Sequence, residues 1–198
     1  MSNHTRCRWA ESDPLLQQYH DEEWDRPVHD SRLLWEMLML EGFQAGLSWL
    51  IVLRKRQAFT QAFAEFEPQQ IAAFGPEAVE QLLQNPGIIR ARAKIEAVIH
   101  NAKVYLTLQQ QGQDFSHWLW SKVDNTPIAS HAPELPQSPL SQQLSRELKK
   151  LGFKFVGPVI VHSWLQAVGV INDHQHDCFC LHQALFRTKR DNLDVKSL

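Results

Sequence analysis

Three groups of residues in this chain have types and spacings suited to chemistry. The first centres on an acid. Leu34, Met37, Leu38, Glu41 and Ala45 follow three- and four-residue steps, so a helix starting after Asp30 sets Glu41 on its apolar stripe. Burial raises the pKa of such a carboxyl, which makes it either a hydrogen-bonded structural group or an active-site acid or base. The run Gly42-Phe43-Gln44-Ala45-Gly46-Leu47-Ser48-Trp49 then supplies two glycines and a capping serine, bringing Gln44 and Trp49 round beside Glu41. An acid, an amide and an indole together suit a flat cationic or hydrogen-bonding ligand.

The second group lies at the chain ends. Cys7 and His20 stand near the start, and His174, His176, Cys178, Cys180 and His182 near the finish. Two N or S ligands from each end would complete a tetrahedral zinc site and staple the ends together. His174 and Cys178 have the spacing of one helical turn, whereas His176, Cys180 and His182 alternate as on an extended segment, and spacing does not choose among them. Small buried cysteines beside surface histidines are the alternative. The close cysteine and histidine pairs of a Cys2His2 finger are missing.

The third group is Leu151-Gly152-Phe153-Lys154-Phe155-Val156-Gly157-Pro158. A glycine-bounded turn feeding a helix N-terminus presents backbone N–H groups beside a positive helix end, which suits phosphate. Lys149, Lys150 and Lys154 add cations, and Arg90, Arg92 and Lys94 offer a second backbone contact. Net charge is +4 between Pro86 and Ile160 and −6 elsewhere, so this portion is the candidate nucleic-acid face. The overall charge of −2 excludes a polybasic, histone-like protein.

The elements that must position these residues read as helices throughout, and the expected fold class is all-α. Asp13-Pro14 opens a first helix that carries Tyr19 and His20 near its end. Asp30 or Ser31 caps a second, running to about Ala45, and Ser48 a third from Trp49. Gly75-Pro76 opens another. Asn85-Pro86-Gly87 turns the chain into a long helix from about Ile89 to Gln110, and an aromatic helix follows over Phe115 to Trp120. Four prolines make Thr126 to Pro139 a connecting loop. A helix over Leu140 to Leu151 stops at Gly152, and the next starts at Pro158. His162, Ser163 and Gln166 interrupt the longest apolar tract, which reads as a buried helix rather than a membrane span.

A length of 198 residues with 43% hydrophobic residues fits one globular domain over 1–198, with a mobile tail from about 185. Three cysteines make no disulfide framework and imply a reducing compartment. With no signal-peptide pattern at the N-terminus, the cytoplasm is the expected location.

Taken together, Cys7-Arg8-Trp9, Asp13-Pro14-Leu15, Tyr19 to Trp24, Glu41 to Trp49, Gly87 to Arg90, Gly152 to Gly157 and Asn172-Asp173-His174 resemble the 3-methyladenine DNA glycosylase I family. The resemblance runs from Cys7 to about Cys180. It implies a helix-hairpin-helix DNA glycosylase fold acting on alkylated double-stranded DNA; a monomer is the expected state. It also implies one structural zinc held by Cys7, His20, His174 and Cys178. Glu41 becomes the carboxylate that meets the methylated base, with Tyr19, Trp49, Trp9 and Gln44 around it. Gly152, Lys154, Gly157 and Arg90 become contacts to the DNA backbone. The expected reaction is hydrolysis of the N-glycosidic bond without strand cleavage, since no lysine in these motifs is placed as a sugar nucleophile. Two positions depart from the pattern: Leu16 stands in place of tyrosine and Asp25 in place of glycine. Leu16 removes an aromatic near the base, and Asp25 alters a turn that glycine would take freely. A zinc-stapled relative that binds damaged DNA, or acts on another alkylated base, is the alternative function.

Overall fold

The computed structural model describes residues 5–130 and 135–181; His182 and the tail from about 185 lie outside them. The described residues are mostly helical: α1 (Pro14–Glu22), α2 (Ser31–Gln44), α3 (Trp49–Ala62), α4 (Pro68–Ala72), α5 (Pro76–Gln84), α6 (Arg92–Gln110), α7 (Phe115–Trp120), α8 (Pro139–Lys150) and α9 (Pro158–Ala167). Two short strands, β1 (Ile128–Ala129) and β2 (Ile171–Asn172), pair in parallel. No described helix is long and apolar enough to cross a membrane.

Local chemistry explains most helix starts. Proline occupies the first helical position of α1, α4, α5, α8 and α9, where its missing N–H costs nothing. The Asp13 carboxylate accepts the Leu15 N–H at 2.8 Å and Asp30 that of Leu33 at 2.7 Å, while Ser138 and Ser141 cap α8 reciprocally. Four expectations shift. Ser48 sits at the N-cap of α3 but makes no capping bond, α6 begins at Arg92 rather than Ile89, α4 was not foreseen, and β1 lies inside the proline-rich loop.

The chain forms two compact units. Residues 29–119 and 136–164 make the second. Within it α2 is buried on every side, from Leu34 through Phe43, rather than along one stripe. Phe43, Phe59, Phe63 and Phe66 pack ring to ring around it, with centroids 4.5 Å apart for Phe43 and Phe59. The buried Trp164 indole donates to the Leu34 carbonyl at 2.9 Å, so this large side chain leaves no orphaned N–H.

Residues 5–28, 120–130, 135 and 165–181 are the described part of the first unit. Here the β1–β2 pair fixes where the last stretch begins, with Ile128 N–H donating to Val170 O and Ser130 N–H to Asn172 O. Gly169, at φ +71°, lets the 26–28 segment approach: a Cβ there would lie 2.5 Å from Arg26 C and Pro27 N. Gly169→Ala is therefore expected to destabilise the protein by about 2–4 kcal/mol, from the close approach plus left-handed strain. Gly112→Ala, at φ +76° in open space, should lose about 1–2 kcal/mol. Urea midpoints measure both, and equal losses would contradict the close packing at Gly169.

Candidate functional site

Glu41 lies inside α2, only 4% exposed, and its Oε2 has no hydrogen-bond partner among the described residues. Burial pushes its carboxyl up to about 8. Glu36, one and a half turns earlier on the same helix, is also buried, but Arg32 answers it at 2.9 Å. Beyond Glu41, α2 ends at Gln44, Gly46 takes φ +81°, and α3 resumes at Trp49; Gln44 and Trp49 are half-buried. Lys94 fastens this turn by donating from Nζ to Phe43 O at 2.8 Å and Ala45 O at 2.7 Å. A cation bonded to the last carbonyls of a helix satisfies them and suits the helix dipole. Lys94 is thus committed to the loop rather than offered to a DNA backbone. Arg92 is paired with Glu80 at 2.6 Å and Glu96 at 3.6 Å, while Arg90 is exposed.

The turn between α8 and α9 is built within the same unit. Gly152 takes φ +101° and Phe155 φ +55°. Asn101 of α6 grips both backbone groups of Lys154, its Oδ1 accepting the N–H at 2.8 Å and its Nδ2 donating to the carbonyl at 3.0 Å. His100 Nε2 donates to Gly152 O at 2.8 Å, and Ser145 Oγ to Val156 O at 2.6 Å. Thus the hairpin is fixed by side chains from outside it, with the Lys154 side chain exposed and Gly157 open to a neighbouring group. Asn101 was missed by sequence reasoning. Its signal was the one that exposed Glu41: a polar residue in step with Ile95, Val98 and Tyr105.

In the first unit, Cys7, His20, His174 and Cys178 are all buried, with their ligand atoms within 4.8 Å of one another. Cys178 Sγ lies 3.3 Å from His20 Nε2 and 3.5 Å from His174 Nδ1, and Cys7 Sγ lies 3.5 Å from His174 Nδ1. A tetrahedral zinc with ordinary Zn–S and Zn–N bonds separates its S and N ligands by about 3.5 Å, so the donor set fits this ion. The Cys180 and Cys7 thiols, and then His174 and His20, hold Cys178 below the usual thiol range, while the hydrogen bond to Cys178 and burial push Cys7 up, so without a metal the cluster gathers one negative charge on Cys178. Of the spare candidates, Cys180 is a small buried residue and His176 is exposed. Trp9 and Trp24 pack edge-on with centroids 5.0 Å apart, and Trp9 meets the ring of His20 at 5.5 Å. Tyr19 is buried 6.4 Å from Trp9. Leu16 is buried on α1, and Asp25 adopts φ +61°, a left-handed conformation that glycine takes freely.

The methyladenine glycosylase family model matches residues 9–181. The chain is 48% identical over 179 residues to DNA-3-methyladenine glycosylase 1 of Escherichia coli (strain K12), covering 88% of this chain and 96% of that protein. It is 42% identical to the DNA-3-methyladenine glycosylase of Haemophilus influenzae, covering 89% and 97%. A crystal structure of 3-methyladenine DNA glycosylase I superposes with a TM-score of 0.86 at 48% identity, over 89% of this chain and 99% of that one. This chain belongs to the methyladenine glycosylase family.

Glu41 carries a stability consequence. The unfolded chain releases this proton near pH 4.5 and the folded one near 8, so native stability falls as pH rises through that window. Glu41→Gln is expected to become more stable than the native protein across the same interval, by up to a few kcal/mol, and to level off above it. Chemical denaturation at several pH values checks this; a difference that does not vary with pH would contradict the raised pKa.

Proposed function

We propose that this protein excises 3-methyladenine from alkylated double-stranded DNA, hydrolysing the N-glycosidic bond without cutting the strand. The observation that carries the proposal is the buried Glu41 carboxyl whose Oε2 meets no partner among the described residues. Such a group is stabilised by a ligand that brings it hydrogen bonds or positive charge. A base methylated at N3 brings both, because methylation leaves it cationic.

That charge also makes the base a good leaving group. The bond electrons between the sugar C1′ and the base nitrogen depart with the base, which leaves neutral, while water adds to C1′ and loses a proton. The protein's task is to draw the nucleotide out of the stack and hold it. Glu41 accepts the hydrogen bonds of the base, Gln44 adds an amide, and Trp49 supplies an aromatic face. Near neutral pH the raised pKa keeps Glu41 protonated, and the arriving cation favours its carboxylate. Base capture is therefore coupled to loss of the Glu41 proton.

The helix-hairpin-helix element is α8, its turn and α9, with Gly152, Lys154 and Gly157 at the backbone phosphates and Arg90 as a further contact. Lys94, bonded to two carbonyls, is not available as a sugar nucleophile, which supports the hydrolytic course. Cys7, His20, His174 and Cys178 hold one zinc; with four protein ligands it closes the structure and leaves no position for an activated water. Cys7, Cys178 and Cys180 form no disulfide, which suits a reducing cytoplasm.

Incubation with methylated duplex DNA, followed by chromatography of the released bases, tests this reading. Release of 3-methyladenine with intact strands is expected, falling about 100-fold or more in Glu41→Gln. A folded native protein that binds the DNA but frees no base would overturn it in favour of a damage-binding role. A Gln variant as fast as native would remove Glu41 from the reaction.

A further inference from the structure

The two histidines of the Cys/His cluster use opposite ring nitrogens. His20 turns Nε2 inward, and its Nδ1 lies 2.9 Å from Asp21 Oδ1. His174 turns Nδ1 inward, and its Nε2 lies 3.4 Å from Asp25 Oδ2. Each imidazole must therefore carry its proton on a different atom to ligate a metal, and each proton faces a carboxylate.

The two carboxylates are held differently. Asp21 is half-buried and gripped by Arg6 through contacts of 2.7–2.9 Å, so it has a cationic partner independent of the histidine. Asp25 is 3% exposed; its carboxylate accepts the backbone N–H of Asp173, and its Oδ2, which makes no hydrogen bond among the described residues, lies 3.4 Å from His174 Nε2. Asp25 also sits at φ +61°, where a side chain adds strain that glycine avoids. The surroundings leave it little freedom. Trp24 N–H donates to Tyr19 O at 2.8 Å just before it, and Gly169 packs against Arg26 and Pro27 just after. On the far side the Trp24 ring abuts His174, with centroids 4.7 Å apart. The turn therefore aims the carboxylate at one imidazole edge.

We infer that Asp25 is a positioning residue for the zinc site: its Oδ2 accepts the Nε2–H of His174, fixing the tautomer that leaves Nδ1 for the metal. This rests on the zinc reading above. It gives the strained, buried aspartate a task that its own turn does not require. A residue serving only the turn would be replaced without loss by glycine, the residue best suited to positive φ.

The test uses native protein, Asp25→Gly and Asp25→Asn, each measured for zinc stoichiometry, for zinc affinity by competition with a chelator, and for stability of the metal-free form. Nitrogen-15 NMR of the histidine rings reports the His174 tautomer. Native protein should bind one zinc, with the His174 proton on Nε2. Asp25→Gly should bind zinc about 10- to 100-fold more weakly. Its metal-free form should be as stable as native or more so, since the strained φ is relieved. Asp25→Asn keeps an oxygen acceptor and should recover part of the affinity. Opposite movement of metal affinity and metal-free stability is what a merely structural aspartate would not produce. Zinc affinity in Asp25→Gly within threefold of native, or a His174 proton on Nδ1 in the loaded protein, would overturn the inference. Native protein that takes up no stoichiometric zinc would overturn it too, and would show that the failure lies in the zinc reading itself.

Discussion

Placing a carboxyl inside a helix that is buried on all sides is unfavourable unless something returns the lost hydration, and within its own unit nothing meets Glu41 Oε2. Much of the second unit serves to keep that group where it is. Continuous burial from Leu34 to Phe43 prevents α2 from rolling Glu41 towards water. Trp164 ties the start of the buried stretch through the Leu34 carbonyl, and Lys94 ties its end through Phe43 and Ala45. The protein thus holds an acid in its less favoured environment, which on the proposed function a cationic base relieves.

The same unit applies a similar economy of attachment to the hairpin. Asn101 and His100 stand side by side on α6 and fix the backbone at Lys154 and Gly152, while Lys94, two turns earlier, fixes the turn after Glu41. One helix therefore sets both the loop that follows the acid and the turn proposed to meet phosphate. In the first unit the fixed points are different in kind. Ends far apart in sequence meet at Cys7, His20, His174 and Cys178, and two aspartates back the two histidines.

Much of this was legible in the sequence because its signals are local. Proline at the first turn, with Asp13 or Asp30 before it or in its place, marks helix starts that depend on one or two residues. Glu41 stood out because its spacing conflicted with its polarity. What escaped depends on distant partners or on too few residues to show a period. The two-residue strands have no alternation to read, and α4 is five residues long. The complete burial of α2 was hidden because Glu36 reads as a solvent-facing acid until Arg32 is seen to cover it. Asp25 read as a disturbed turn, since nothing in its neighbourhood announces His174, 149 residues later. The choice of zinc ligands needed the family resemblance, because the histidine and cysteine spacings allowed several sets.

The ionisation of Glu41 in the ligand-free protein tests the central claim most directly. Protein carrying carbon-13 in its glutamate carboxyl groups, titrated by NMR with Glu41→Gln to assign the signal, reports it. A Glu41 resonance that titrates near pH 8 is expected, well above the other glutamates. Titration at the ordinary value of about 4.5 would mean that the carboxyl is already solvated or paired, and the idea of an acid held in reserve for the methylated base would fail.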